Sequence, residues 1–579
     1  MKYYADIECY IDYWLISFLR EDGAIKHFEL FDGHPLDAKG IRKILDKGLI
    51  ITFNGNHYDM PMLQLALCGA DNEQLKRLSD SIINGAKTWG MEKPECNHID
   101  VKEPAPGVMT SLKIYGGRLK CEKLQDLPIE PSASISPNQR KLLRDYCVND
   151  LVTTKELYLA IEKDIKLRSE LSKEYDVDLR SKSDAQIAEA LFRSYLTAKG
   201  VRVGKRQAQV LPFKYRLPDW VEFESPEFNE MLKKVIDCTF EVSDAGKPKM
   251  PEELNKAVEF NGAKYKFGIG GLHSQEKKQV IEPTAEQLFG EFDIASMYPS
   301  IIIEQGLYPE HLGKGFLAIY SDIKETRMRV KKSDPRTAQT YKIVLNGSYG
   351  KFGSHYSFLY SPELLIQTTI TGQLFLLMTI EKVTRAGGRV VSANTDGINV
   401  IYDRANSVAI ETAIFECELL SGYEYEYTPY LATYARDVNN YIAVKENGVK
   451  SKGAYAIGGL MKNPSNNICV EAVMDYLTKD IAIEETIKSC DDVTKFLTVR
   501  KVTGGAIFKG DLIGGAIRYY HSVDGEVITY KKNGNKVPKS DGCKPLMDLP
   551  DTLPLDIDWQ WYVENAYSLL NDLGVNNEK

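Results

Sequence analysis

The chain has no long apolar run, no paired cysteines and no excess of positive charge, and each absence removes a class of function. No uninterrupted apolar stretch approaches the roughly 20 residues that span a bilayer, so no membrane role is expected. The ten cysteines are scattered from Cys9 to Cys543 without a C-x-x-C pair, which leaves no spacing for a structural zinc or iron–sulfur site, and they read as reduced thiols. From Met1 to Asp6 the text enters a strand-like alternation without the apolar core of a secretory leader, so a cytoplasmic protein is expected. A net charge of −8 argues against a uniformly basic nucleic-acid binder. There is no internal repeat or low-complexity tract.

What is present is a soluble, multidomain composition: 579 residues with 43% apolar and 27% charged side chains, enough for about three to five compact units at roughly 150 residues each. Positive charge is concentrated locally. Between Gly313 and Ser354 nine cations stand against three carboxylates, which by itself fits a solvated pair of helices or a phosphate-binding surface.

Three segments place functional groups around that basic stretch. In Glu291-Phe292-Asp293-Ile294-Ala295-Ser296-Met297-Tyr298-Pro299-Ser300, a carboxylate ends a strand just before a helix. In Arg389 to Tyr402, two β-branched runs flank a short polar tip and read as a β-hairpin carrying Asp396. Between them, Lys342 and Asn346 of Lys342-Ile343-Val344-Leu345-Asn346-Gly347-Ser348-Tyr349-Gly350 share one helix face by i,i+4 spacing, as do Arg327 and Lys331 upstream. The first segment matches the D-x-x-S-L-Y-P-S pattern of family B DNA polymerases with Met297 for Leu, and the others follow in that family's order. The chain resembles a phage-type family B DNA polymerase with an attached proofreading exonuclease.

The resemblance implies that Asp293 and Asp396 hold two Mg²⁺ ions (Mn²⁺ would also serve) roughly 3.5–4 Å apart for phosphoryl transfer. It implies that Arg327, Lys331 and Lys342 meet the triphosphate of a dNTP, that Asn346 lies beside the nucleotide, and that Tyr298 is a steric gate against the ribose 2′-hydroxyl. Departures are Asn394 and Gly397, where the family's hairpin carries Asp and Ser, and Gly347, where Ser is common. Asp293 and Lys342 are only 49 positions apart, which leaves no room for the large insertions of protein-primed members, so extension from an ordinary nucleic-acid primer is expected.

Upstream, Asp6-Ile7-Glu8 puts two carboxylates on one side of a strand. Asn54-Gly55-Asn56-His57-Tyr58-Asp59 and Tyr146-Cys147-Val148-Asn149-Asp150 match the second and third exonuclease motifs of the same family. The resemblance makes Asp6, Glu8, Asp59 and Asp150 the carboxylates of a two-metal 3′→5′ exonuclease, with Tyr146 orienting the attacking water. For DNA handling it points to Gly270 and Gly271 of a connector motif, to Tyr349 and Gly350, and to Tyr441 and Lys452 of a K-x-Y-like region in which Asn439 replaces the Lys. A glycine-rich turn is the alternative reading of Gly268 to Gly271.

The expected fold class is multidomain α/β and α+β: an RNase H-like exonuclease domain (1–165), connector and start of palm (166–282), palm with the first motif (283–320), short fingers (321–354), palm with the hairpin (355–458), and a thumb (459–579) assigned by position. Glu363 to Arg385 reads as a core helix and the Trp559, Tyr562, Val563, Ala566 face as core packing. The expected partners of a monomer are primer–template DNA and dNTPs, in the host cytoplasm if the source is viral. The competing readings are an exonuclease with a degenerate polymerase half, suggested by Asn394, and a non-catalytic DNA-binding protein.

Overall fold

The alternation that begins the chain forms a strand, β1 (Lys2–Cys9), at the centre of a five-stranded sheet. A computed structural model describes residues 1–107, 110–206 and 210–575. They form two compact units: Met1–Ser183 with Ile457–Ala566, and Asp184–Ala456 with Tyr567–Lys579.

In the first unit, β1 pairs antiparallel with β2 (Tyr13–Arg20), which pairs with β3 (Ile25–Phe31). On its other side β1 runs parallel to β4 (Leu49–Thr52), which runs parallel to β5 (Asn97–Asp100), giving the order β3-β2-β1-β4-β5. Successive β1 side chains serve different cores: Ala5, Ile7 and Cys9 pack with Trp14, Met60 and Leu63, whereas Tyr4 packs with Ile51, Leu151 and Leu157. Three helices carry site residues: α1 (Asp59–Leu67), α2 (Leu112–Arg118) and α3 (Pro137–Ala160), the last opened by a capping box at Ser136 and Gln139 with Pro137 in its first turn.

Residues 457–566 fold with this unit rather than as a free-standing end, so the compact boundary cuts across the thumb expected from position. Arg518 lies fully buried in the strand Asp511–Glu526, and its guanidinium donates to the carbonyls of Cys121, Glu122, Leu546 and Met547. Four carbonyl acceptors offset the desolvation of a charge that is otherwise costly to bury. Tyr562 is buried and donates to the Phe496 carbonyl, consistent with the core face expected for that helix.

The second unit is built on a seven-stranded antiparallel sheet. Its strands are β6 (Val258–Phe260), β7 (Ala263–Lys266), β8 (His273–Ser274), β10 (Gln287–Ile294), β11 (Arg389–Asn394), β12 (Gly397–Asp403) and β13 (Tyr425–Pro429), in the order β13-β10-β12-β11-β8-β7-β6. A second sheet joins β9 (Gln279–Ile281), β14 (Ala432–Asp437), β15 (Asn440–Lys445) and β16 (Gly448–Lys452). Its helices include α4 (Asp184–Ala198), α5 (Met297–Glu304), α6 (Lys314–Val330), α7 (Pro335–Phe352), α8 (Pro362–Arg385) and α9 (Ser407–Ser421). Among the described residues α8 alone is long and apolar enough to cross a membrane, but 89% of its most apolar window is buried inside the protein, as a core helix requires. A Cβ at Gly347 would stand 2.8 Å from the Cβ of Ala188, so glycine in place of serine lets α7 lie directly against α4.

Candidate active sites

Asp293 occupies the end of β10, hydrogen-bonded between β12 and β13, in register with Gly397 and Glu426. Asp396 is in the two-residue tip between β11 and β12, and its carbonyl accepts from the Ile294 amide at 2.8 Å. The two carboxylates line one pocket of about 260 Å³ together with Glu291, Asn394, Tyr441, Lys450 and Lys452. Burial first, then the charges of Asp396 and Glu291, push the Asp293 carboxyl up to about 7; Asp396 is raised by burial and by Glu291. Crowded acids of this kind are stabilised by a cation between them, and an all-oxygen donor set suits Mg²⁺ or Mn²⁺. A Cβ at Gly397 would lie 3.0 Å from Asp293 Oδ1, so the replacement of serine keeps the space beside that carboxylate open.

Two residues beside the carboxylates adopt left-handed backbone conformations. Thr395, at φ +62°, forms the tip with Asp396, and Ser296, at φ +51°, caps the helix that follows Asp293. Both are held from outside: the Thr395 amide donates to the Leu272 carbonyl at 2.8 Å, and Arg327 Nη1 donates to Ser296 Oγ at 2.6 Å. Gly271, at φ +145°, makes the first contact, since a Cβ there would fall 3.1 Å from Thr395 Cα. Gly271 thus lets the connector backbone lie against the hairpin tip. The Gly270 carbonyl accepts from the Tyr298 hydroxyl at 2.6 Å, and the Tyr298 ring stacks on Tyr349 at 4.1 Å between centroids. Tyr349 is in turn held by Thr369 Oγ1 at 2.7 Å.

Arg327 reaches the Asp293–Tyr298 segment. Lys331 caps the C-terminus of α6 with its backbone still helical, and its Nζ sits 3.2 Å from Glu426. Lys342 and Asn346 share an exposed face of α7, and Gly350 lies exposed near its end. Tyr441 and Lys452 are cross-strand partners on β15 and β16, both lining the pocket. Asn394 donates from Nδ2 to the Val438 carbonyl at 3.2 Å, a bond that an aspartate could not make.

Two pocket residues were missed from sequence. Glu291 lies two residues before Asp293 on the same side of β10, and Lys450 bonds both its oxygens at 3.0 and 2.7 Å as well as Tyr430 Oη at 3.3 Å. The i,i+2 spacing of Glu291 to Asp293 and of Lys450 to Lys452 was the available signal.

In the first unit, β1 carries Asp6 and Glu8, the first turn of α1 carries Asp59, and α3 carries Tyr146 and Asp150. Ligand atoms of Asp6, Glu8 and Cys147 lie within 4.8 Å of one another. The buried Cys147 thiol is pushed well above its ordinary range and points at Asp6 Oδ2, 3.9 Å away, as a donor rather than a ligand. Each carboxyl is raised first by burial, Asp6 to about 7 and Glu8 and Asp59 well above the ordinary carboxylate range, and Asp6, Glu8 and Asp59 each feel the charge of others in the cluster. Asp59 Oδ1 is buried with no hydrogen-bond partner. That orphan oxygen, in a cluster of hard donors, fits a divalent cation. Lys113 of α2 is the nearby counter-charge: its ammonium bonds Asp150 and stands 4.2 Å over the Tyr146 ring. Asp100, buried at the end of β5, accepts the amides of Asn54, Asn56 and Lys102 at 2.8, 2.9 and 3.0 Å and so shapes the loop before Asp59. Neither Lys113 nor Asp100 has a periodic signature in the sequence.

These raised carboxyls predict a stability profile. Without metal, Asp6 and Asp293 bind protons in the folded state up to about pH 7 but only to about pH 4 when unfolded. Stability must then fall as pH rises through 4 to 7. We expect a lower Tm at pH 8 than at pH 5 in EDTA, a smaller drop in Asp6→Asn, and recovery by Mg²⁺ that is larger at pH 8. A Tm that climbs over this interval in EDTA, identically in both proteins, would rule out the assigned clusters.

No family model matches the chain, and no curated protein matches it. Among solved structures it is similar to the family B DNA polymerase from the hyperthermophilic archaeon Pyrobaculum calidifontis, at 15% identity, covering 100% of this chain and 78% of that one, with a TM-score of 0.42. Function is therefore argued from the sites themselves.

Proposed function

We propose that the chain is a DNA-templated DNA polymerase of the family B type with a 3′→5′ proofreading exonuclease. The observation that carries this reading is the meeting of Asp293 and Asp396, 103 positions apart, in one pocket, with Tyr298 in the first turn of the helix that follows Asp293. Bound there, Mg²⁺ or Mn²⁺ would activate the primer 3′-hydroxyl and neutralise the triphosphate and the leaving pyrophosphate. Asp293 and Asp396 supply the ligands, and Lys450 holds Glu291 so that a third carboxylate does not compete for the same position. Arg327 braces the turn that follows Asp293. Tyr441 and Lys452 face the side of the pocket where the primer strand would lie.

The β3-β2-β1-β4-β5 order supports an RNase H-like exonuclease, in which Asp6, Glu8, Asp59 and Asp150 hold the metals and Tyr146 positions water. The short segment between Asp293 and Lys342 favours a phage-type monomer that extends ordinary primers in a host cytoplasm. We assign palm and fingers to the second unit.

Extension of a labelled primer–template with Mg²⁺ and dNTPs tests the reading. Degradation without extension would favour the nuclease-only alternative, although Asn394 has a structural partner in Val438. Tyr298→Ala removes the ring stacked on Tyr349, and we expect ribonucleotide incorporation to rise roughly 10–100-fold relative to deoxynucleotide, as a lost steric contact of about 1.4–2.7 kcal/mol implies. Unchanged discrimination would remove the gate.

A further inference from the structure

The most exposed aromatic side chain among the described residues is a tryptophan. Trp89 is 78% exposed, and among the described residues its ring has no aromatic or cationic partner. The other four tryptophans are accounted for: Trp14 is fully buried, Trp220 packs edge-on against Phe375 and Tyr423, Trp559 against Phe496, and Trp561 stacks on His521. Leaving the largest amphipathic side chain in water has no folding rationale.

Its position is fixed. The Met91 amide donates to the Thr88 carbonyl at 3.1 Å, so Trp89 and Gly90 form the apex of a tight turn. Thr88 is buried, with Oγ1 3.0 Å from His57 Nδ1, and Lys93 Nζ donates to Asn56 Oδ1 at 3.3 Å. The turn is thus docked on both sides of Trp89 onto the Asn54–Tyr58 loop that runs into Asp59. Lys102 Nζ, 2.8 Å from Asn54 Oδ1, puts a second ammonium on the same loop. A flat apolar face and two cations beside a four-carboxylate cluster match a nucleobase and its phosphates.

We propose that Trp89 is a stacking platform for a base of single-stranded DNA whose 3′ end enters the exonuclease site. The assignment rests on the exonuclease reading above and adds a binding residue to it. Stacking on an aromatic ring tolerates any base, as a proofreading site must, and is worth ~1–3 kcal/mol per base. Trp89 acts on binding; it holds no reacting atom.

The test has two arms. With Ca²⁺ in place of Mg²⁺, oligothymidylate of ~12 nucleotides should quench the intrinsic fluorescence of the wild-type protein, and Trp89→Ala should lose that response. With Mg²⁺, degradation of the same oligonucleotide should show a KM about tenfold higher in Trp89→Ala, an intermediate KM in Trp89→Phe, and a kcat within about twofold of wild type. Absence of quenching at saturating DNA, or a wild-type KM in Trp89→Ala, would overturn the platform and leave the turn as a surface for a protein partner. Quenching without degradation would uphold Trp89 and remove the nuclease reading instead.

Discussion

Asp293→Ala is expected to reduce primer extension by about 10³-fold or more while leaving degradation of the primer at its wild-type rate. A carboxylate that helps place a divalent cation supplies several kcal/mol to the transition state, and ~4 kcal/mol corresponds to three factors of ten. The variant should fold, because β10 is hydrogen-bonded on both sides through backbone groups that the substitution does not touch. Its stability should rise above pH 7, since the substitution removes a carboxylate that burial, Asp396 and Glu291 all make costly to ionise. Extension, degradation and Tm measured on one preparation separate a catalytic loss from a folding defect. Wild-type extension by Asp293→Ala would end the polymerase reading.

Asp6→Ala combined with Glu8→Ala should give the complementary result: primer degradation falls by at least a comparable factor and extension stays within about twofold. Both side chains project from β1, whose pairing with β2 and β4 is made by backbone groups. The cluster carries more acids than the single Lys113 can neutralise, so removing two of them relieves repulsion. Equal loss of both activities would identify Asp6 and Glu8 as structural and remove the exonuclease assignment. Misincorporation should rise in the double variant if the two activities belong to one proofreading enzyme.

Much of both candidate sites follows from local spacing. Asp6 and Glu8 share a strand side because side chains alternate with period two, and Asp396 sits at a hairpin tip because two β-branched runs flank a polar pair. Lys342 and Asn346 share a helix face because they are spaced i,i+4. Lys331 keeps the helical backbone that its spacing from Arg327 implies, but its partner Glu426 lies 95 positions away and has no local signature.

Sequence alone determined which carboxylates, tyrosines and cations the chain carries and which face of each element presents them, because those follow from periods of 2 and 3.6 residues. Tertiary structure alone decided what each group meets. Lys113 against Asp150, Lys450 against Glu291, Asp100 under the Asn54 loop, Asn394 on Val438, Gly271 on Thr395 and Arg518 among four carbonyls are contacts between segments far apart in the chain. No local pattern encodes such contacts. They are set by how buried polar groups find partners once the sheets and helices have packed.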